Sequence, residues 1–388
     1  MSLLKIVKPE VVRIDPLMGF DSRDRIRPLN LQQSDYDNEY DFTTFWYDAF
    51  FSPDGKWAII IAPPMFGMKG GQEIYFHSID GIVLPHKIVT MDRNTNIYVY
   101  INNVRHTSIA AVVNNYKFIF VIGRSYCNIF SQMRVLLLKS QNNNLAWVKD
   151  NVSFHIKYHG ATSVLLYDHG SNKYSLDELL LSINEAGSLA SVIIVDWKFP
   201  FGPPAKIGTS TWDSDFCQYG ILEHARWRFL AAAKSVLNID VDELVFSKNS
   251  CSIFDLTEKN ENAYLSFYGK WSYACENDIH SHGTNNLNHT ISHSSHVYTR
   301  KTDFVSESAA KKWCAVPRKI AWSNQWSVHG IYGAIPKICD YDDITIRHCW
   351  SLTSLSYKYI SRAPFKESDS FLFELDNSFQ QATSFLQP

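Results

Sequence analysis

The chain has 388 residues, 45% of them apolar and 20% charged, with a formal net charge of −2. That length allows two or three domains with a sizeable core, and the near-zero charge gives no electrostatic ground for nucleic acid or an anionic membrane as partner. Seven cysteines without a C-x-x-C pair point to a reduced compartment rather than a disulfide scaffold.

In chain order, the first 16 residues, "MSLLKIVKPEVVRIDP", lack the pattern of a signal peptide. No apolar run reaches the ~18 residues needed to span a bilayer, so a cytosolic location is expected. Residues 1 to about 40 read as irregular. From Thr43 to about Gly123, short β-like runs ("KWAIIIAPP", "QEIYFHSIDGIVL", "NIYVYI", "SIAAVVN", "YKFIFVIG") alternate with turns marked by Asp54-Gly55 and Asp80-Gly81. The expectation is a small antiparallel β domain over 1–125.

After about Ser125 strands alternate with helices, which predicts a mostly parallel sheet with crossover helices over 126–388. "RVLLLKS" (134–140) is a strand. Residues 143–160 carry helical periodicity and end on Gly160, a C-cap residue. "TSVLLYDHGS" (162–171) is a second strand. Residues 175–187 form a helix opened by a capping box of Ser175 and Glu178. "ASVIIVDW" (190–197) is a third strand, residues from about Asp215 to Ala233 a long helix, and "SVLNIDVDE" a fourth strand.

Ligands of open α/β sheets bind beyond the carboxyl ends of the strands. Here strands two, three and four end on Asp168, Asp196, and Asp240 with Asp242. Read as an extended segment, Asp240 and Asp242 share one face, and two carboxylates on one face suit Mn²⁺ or Mg²⁺, which also grips phosphate oxygens. An EF-hand is excluded, because position six from Asp240 is Val245 and position twelve is Cys251.

Longer stretches extend this pattern. "AWVKDNVSFHIKYHGATSVLLYDHGSNKYSLDELL", through Trp147, His155 or Tyr158-His159, Gly160, Tyr167, Asp168 and Ser171, resembles the opening of family-92-type glycosyltransferases and related family-2-like bacterial enzymes. "CQYGILEHARWRFLAAAKSVLNIDVDELVF", with Gln218, Asp240, Asp242 and Glu243, resembles their D-x-D-E segment. "RKIAWSNQWSVHGI", with Lys319, Ile320 and His329, and "RHCW" resemble later segments. The likeness covers about residues 135–350.

The resemblance implies a GT-A fold and a metal-dependent, inverting transfer from a nucleotide-diphosphate sugar to a glycan or lipid-linked acceptor. Such an enzyme fits bacterial surface polysaccharide (capsule or lipopolysaccharide) synthesis, with peripheral membrane association where the acceptor is lipid-linked. It places Asp168, Asp196, Asp240, Gln218 and Lys319 on the donor. Asp240, Asp242 and His329 would hold the metal, His348 is a weaker candidate, and Glu243 would steady its neighbours. An inverting transfer needs a base, for which Glu276 and Asp278 are candidates beside a Trp271 platform. The histidines of "HSHGTNNLNHTISHSSH" read as a polar loop closing over the site. Two other readings stay open. One is a haloacid-dehalogenase-type phosphohydrolase with Asp240 as nucleophile and Asp342-Asp343 as its later acidic pair. The other is a non-catalytic carbohydrate-binding protein.

Overall fold

The computed structural model describes residues 2–65, 73–102, 107–203, 216–277, 291–301, 308–339, 344–352 and 363–386. The central sheet is built from β1 (Leu3–Val7), β2 (Arg134–Ser140), β3 (Ser163–Asp168), β4 (Ser191–Asp196), β5 (Ser235–Asn238), β6 (Glu243–Ser247), β7 (Tyr264–Ser272), β8 (Ser308–Ala315) and β9 (Ile344–Cys349). Their order is β1-β4-β3-β2-β5-β8-β7-β9-β6, with the short Lys337–Ile338 strand beside β7. The first five run parallel; β8 is antiparallel to both β5 and β7, and β9 is parallel to β7. The fold is therefore mixed α/β around a mostly parallel sheet.

The helices follow their sequence signals. α1 (Leu145–His159) is capped by Asn144, whose side chain accepts from Ala146 N–H, and ends on Gly160 at φ +68°. α2 (Leu176–Asn184) opens with the capping box of Ser175 and Glu178. α3 (Phe216–His224) continues as a wider π turn over Ala225–Leu230. α4 (Ile253–Lys259) and α5 (Asn377–Thr383) are short.

Alternation along the strands sorts side chains onto two covered faces. Leu136, Leu138, Val164, Leu166, Val192 and Ile194 meet Val148 and Val152 of α1 and Leu179 and Ile183 of α2. On the other face Val135, Leu137, Leu165, Tyr167, Ile193 and Val195 meet Cys217, Ile221 and Leu222 of α3. A third layer then covers α3. It is a sandwich of two four-stranded antiparallel sheets, one of Asp48–Phe51, Trp57–Ala62, Asn94–Tyr100 and His86–Met91, the other of Tyr116–Val121, Ser108–Val113, Ile74–His77 and Val83–Leu84. Ala58, Ile60, Ile97 and Val99 pack inside the sandwich, while Tyr47, Phe50, Ile59 and Ile61 point out of it into the α3 core.

Two sequence expectations are corrected. The segment expected to be irregular supplies β1, which pairs in parallel with Ser191–Val195; the apolar edge of β4 gives "LLKIV" a partner that no local signal announces. The single strand expected over "SVLNIDVDE" is two. β5 ends at Asn238, residues 241–242 form a turn, and β6 starts at Glu243 on the far edge of the sheet.

Candidate functional site

Because β7 and β9 run parallel to β5, and β6 runs antiparallel to β9, one edge of the sheet collects the carboxyl ends of β2–β5, β7 and β9 and the start of β6. Ser140, Asp168 and Asp196 stand in register there. The acids that the sequence places at strand ends therefore share an edge.

At its β3–β4 end, Asp168 is fully buried. Its Oδ2 accepts the Ser171 N–H at 2.8 Å, and its Oδ1 has no hydrogen-bond partner among the described residues. Burial raises the Asp168 carboxyl above its ordinary range against the pull of the Ser171 hydrogen bonds, and the adjacent Asp196 adds to the rise. Asp196 Oδ1 lies 3.3 Å from Lys198 Nζ, outside hydrogen-bond geometry. Gln218 is half-buried in the first turn of α3. Its neighbour Cys217 receives the Trp197 indole N–H at 3.2 Å and lies 3.5 Å from His169 Nδ1, so this turn abuts the residues that follow Asp168 and Asp196.

The D-x-D-E residues form a tight turn rather than an extended face. Glu243 Oε2 accepts the Asp240 N–H at 2.9 Å while Glu243 N–H donates to the Asp240 carbonyl at 3.1 Å. The two aspartates then point to different partners. Asp240 contacts Lys139 Nζ at 3.2 Å and is bonded by Lys312 Nζ, which also lies 2.8 Å from Glu243. Asp242 Oδ2 lies 3.0 Å from His348 Nε2, and His348 Nδ1 is 3.6 Å from Glu243. Burial alone would raise the Asp240 carboxyl, and the two ammoniums overcome it and hold it far below the usual range. Likewise burial alone would strip the Lys312 proton, and the Asp240 and Glu243 charges reverse that. His348 is raised above its ordinary value because Asp242 and Glu243 outweigh its burial. It stacks on Trp271 at 4.1 Å between centroids, with Trp350 edge-on to Trp271 at 4.8 Å.

A polar stripe on α1, at i, i+4 and i+8, clamps this turn. Asn151 Nδ2 donates toward the carbonyls of Asp240, Val241 and Glu243 at 3.2, 3.1 and 2.7 Å. Val245 N–H donates to His155 Nε2 at 3.2 Å, which leaves the proton on Nδ1, bonded to the Asn151 carbonyl at 2.7 Å. Ile253 N–H donates to His159 Nδ1, and His159 Nε2–H donates to the Val245 carbonyl at 2.6 Å. Both imidazoles are neutral and of opposite tautomer, and burial lowers both. Sequence reading met His155 and His159 as motif positions and missed the clamp, although the spacing of four was its signal.

His329 borders the turn: its Nδ1 is bonded to the Lys311 carbonyl at 3.0 Å, and burial with the nearby Lys312 and Lys139 charges lowers it against the pull of Asp240, while His348 is the histidine that pairs with Asp242. Lys319 is exposed on the single turn Pro317–Lys319. Glu276 lies just past β7, its N–H donating to the Phe365 carbonyl at 3.0 Å. Asp278, Asp342 and Asp343 lie outside the described residues. Most of the histidine-rich run, with His280, His282 and His289, lies outside the described residues; of the rest, His293 and His296 are fully buried, His293 Nε2 2.9 Å from the Val241 carbonyl and His296 Nε2 2.9 Å from Ser351 Oγ.

The resemblance implies Mn²⁺ or Mg²⁺, which needs several open oxygen ligands. Asp240 already faces two ammoniums, Asp242 faces His348, and among the described residues no three of His, Cys, Asp and Glu gather in metal-holding geometry. The donor set does not fit a resident divalent cation.

No protein-family model matches the chain, and no curated protein matches it. Among solved structures it is similar to the WbbM bifunctional glycosyltransferase (10% identity, 52% of this chain and 34% of that one, TM-score 0.29). It is also similar to the mannosyltransferase Ktr4p from S. cerevisiae (12%, 36% and 40%, 0.26) and to the galactosyltransferase LgtC bound to donor and acceptor sugar analogs (13%, 48% and 58%, 0.25). The matched region thus spans about a third to three fifths of those chains. At such identities and TM-scores the likenesses carry no inference about what this chain binds. No helix among the described residues is long and apolar enough to cross a membrane.

Proposed function

We propose that this protein is a glycosyltransferase that moves a sugar from a nucleotide-diphosphate donor to a glycan or lipid-linked acceptor. The observation that carries the reading is the gathering of Asp168, Asp196 and the clamped Asp240–Glu243 turn on one carboxyl edge of a mostly parallel sheet. The nucleoside lies at the β3–β4 end, where the buried, unpartnered Asp168 Oδ1 awaits a hydroxyl or ring N–H donor. The diphosphate lies over the basic groups around Asp240 and Asp242. The acceptor approaches past Trp271 and Trp350, whose rings flank His348. Displacement with inversion needs a base to take the acceptor proton, and Glu276, beyond the carboxyl end of β7, is assigned that role. The sequence resemblance extends the reading to bacterial surface polysaccharide as the product.

A thermal-shift screen of nucleotide sugars, followed by a donor-hydrolysis assay of the hit, tests this. One donor is expected to raise the melting temperature, and Glu276→Gln is expected to lose turnover while keeping the native circular dichroism spectrum. If no donor shifts the transition and no sugar is released, the reading fails. A beryllofluoride-trapped acyl-phosphate analogue on Asp240 would install the phosphohydrolase in its place.

A further inference from the structure

We propose that the donor diphosphate is met by the protein's own ammonium groups, Lys139 foremost, and that binding and transfer run without a divalent cation. This rests on the transferase reading above. The observation is the completeness of the charge pairing around the D-x-D-E turn. Three carboxylates, Asp240, Asp242 and Glu243, face three basic groups, Lys139, Lys312 and His348. A dication is held by a surplus of negative oxygen ligands, and this cluster has none to spare. To enter, the ion would have to expel two ammoniums from Asp240. One of them, Lys312, has a side chain only 1% exposed and is held by Glu243 as well, so its removal would strand a buried charge.

The two lysines are not equivalent. Lys312 lies beneath the turn and fixes it. Lys139, at the end of β2, has a side chain 13% exposed and touches Asp240 at 3.2 Å and Asn238 Oδ1 at 3.4 Å. It sits between the Asp168–Asp196 end of the edge and the D-x-D-E turn, in sheet order and in register. A diphosphate bridging those two ends passes over it, and its ammonium can exchange the Asp240 carboxylate for a phosphate oxygen with little net loss of charge pairing. In the transfer, the bond between the anomeric carbon and the β-phosphate oxygen breaks, and its electron pair stays on the nucleoside diphosphate facing Lys139. The acceptor oxygen bonds the anomeric carbon and gives its proton to Glu276. No redox partner or metal enters the balance.

The full chain is titrated with UDP, GDP, CDP and dTDP by calorimetry, in excess EDTA and again in Mn²⁺, and with Mn²⁺ alone. The diphosphate that binds is expected to do so within about twofold in both conditions, with no heat from Mn²⁺ alone; Lys139→Met is expected to weaken it about tenfold or more, the loss of one charge-assisted contact. Asp240→Asn separates the alternatives by sign. With a lysine-based site it frees Lys139, and diphosphate binding is kept or tightened. With a metal site it removes a ligand, and binding falls. If Mn²⁺ binds the free protein, or EDTA abolishes diphosphate binding and Mn²⁺ restores it, this inference is overturned while the transferase reading survives. If no diphosphate binds in either condition, the transferase reading falls.

Discussion

Acid should destabilise this protein first through its buried histidines. His155, His159 and His296 are at most 2% exposed, and all are held neutral by the fold. Burial pushes His159 down to about 4 and His296 down to about 3 from an ordinary 6.5, and His155 well below it. The folded values lie below the unfolded one, so the unfolded chain takes up protons first. The stability contribution is complete above about pH 6.5 and is lost as pH falls toward the folded values. At ~1.4 kcal/mol per pH unit per proton, His159 and His296 together cost about 5 kcal/mol between about pH 6.5 and 4.5. That matches the lower end of a domain's whole stability. Asp168 and Glu243, raised by burial, oppose part of this slope. The raised His348 acts on the other side, its contribution present below about pH 6.5 and lost as pH rises through its folded value. Urea unfolding followed by tryptophan fluorescence, repeated across the acid window, measures the sum. His159→Gln isolates one group, because a neutral amide can still accept from Ile253 and donate to Val245. This variant is expected to flatten the slope by about 1 kcal/mol per pH unit. A flat profile, or an unchanged slope in His159→Gln, refutes the neutral-histidine clamp.

Asn151→Ala leaves the carbonyls of Asp240, Val241 and Glu243 without their shared donor. A stability loss of about 1–3 kcal/mol is expected in urea unfolding, with faster amide exchange across the turn. Asp48→Asn removes the carboxylate that faces Arg228 and His224 in a fully buried site, which is expected to cost about 3–5 kcal/mol by thermal unfolding. Gly220→Ala would place a Cβ 2.6 Å from the ring of Tyr47, itself 0% exposed, and the overpacking is expected to cost about 1–3 kcal/mol by the same measurement.

The parallel half of the sheet was legible because its signals are local. Apolar runs end on acids, Gly160 stops α1, and Ser175 with Glu178 starts α2. The D-x-D-E turn was not, since "NIDVDELVF" alternates like a continuous strand and what bends it is distant. Asn151 lies about ninety residues away in sequence, and Lys312 reaches Asp240 across 72. The same distance hid the ion pairing that turns Asp240 and Asp242 to separate partners. The pairing of His348 with Asp242 was hidden for a related reason. Which histidine meets Asp242 is set by the pairing of Glu243 with His348 between β6 and β9, a register with no local trace.

The sandwich, expected as a small β domain over 1–125, is tied to the Asp168 edge of the central sheet, and this yields a prediction about truncation. Asp48 of the sandwich accepts from Arg228 and lies 2.7 Å from His224 Nε2; His224 Nδ1 meets the Tyr167 hydroxyl at 2.7 Å, and Tyr167 precedes Asp168. A second tie runs from Asn96 to Glu223, which also receives the Trp326 N–H at 2.9 Å. Around these ties Tyr47, Phe50, Ile59 and Ile61 cover α3. At about 1.5–3 kcal/mol per buried large side chain, removing them withdraws about 6–12 kcal/mol, and β1 leaves the edge of β4 with the same cut. Residues 126–388 alone are therefore expected to be insoluble or to lack a cooperative unfolding transition. A soluble fragment that unfolds in one sharp step would mean that the sandwich does not hold the Asp168 edge in place.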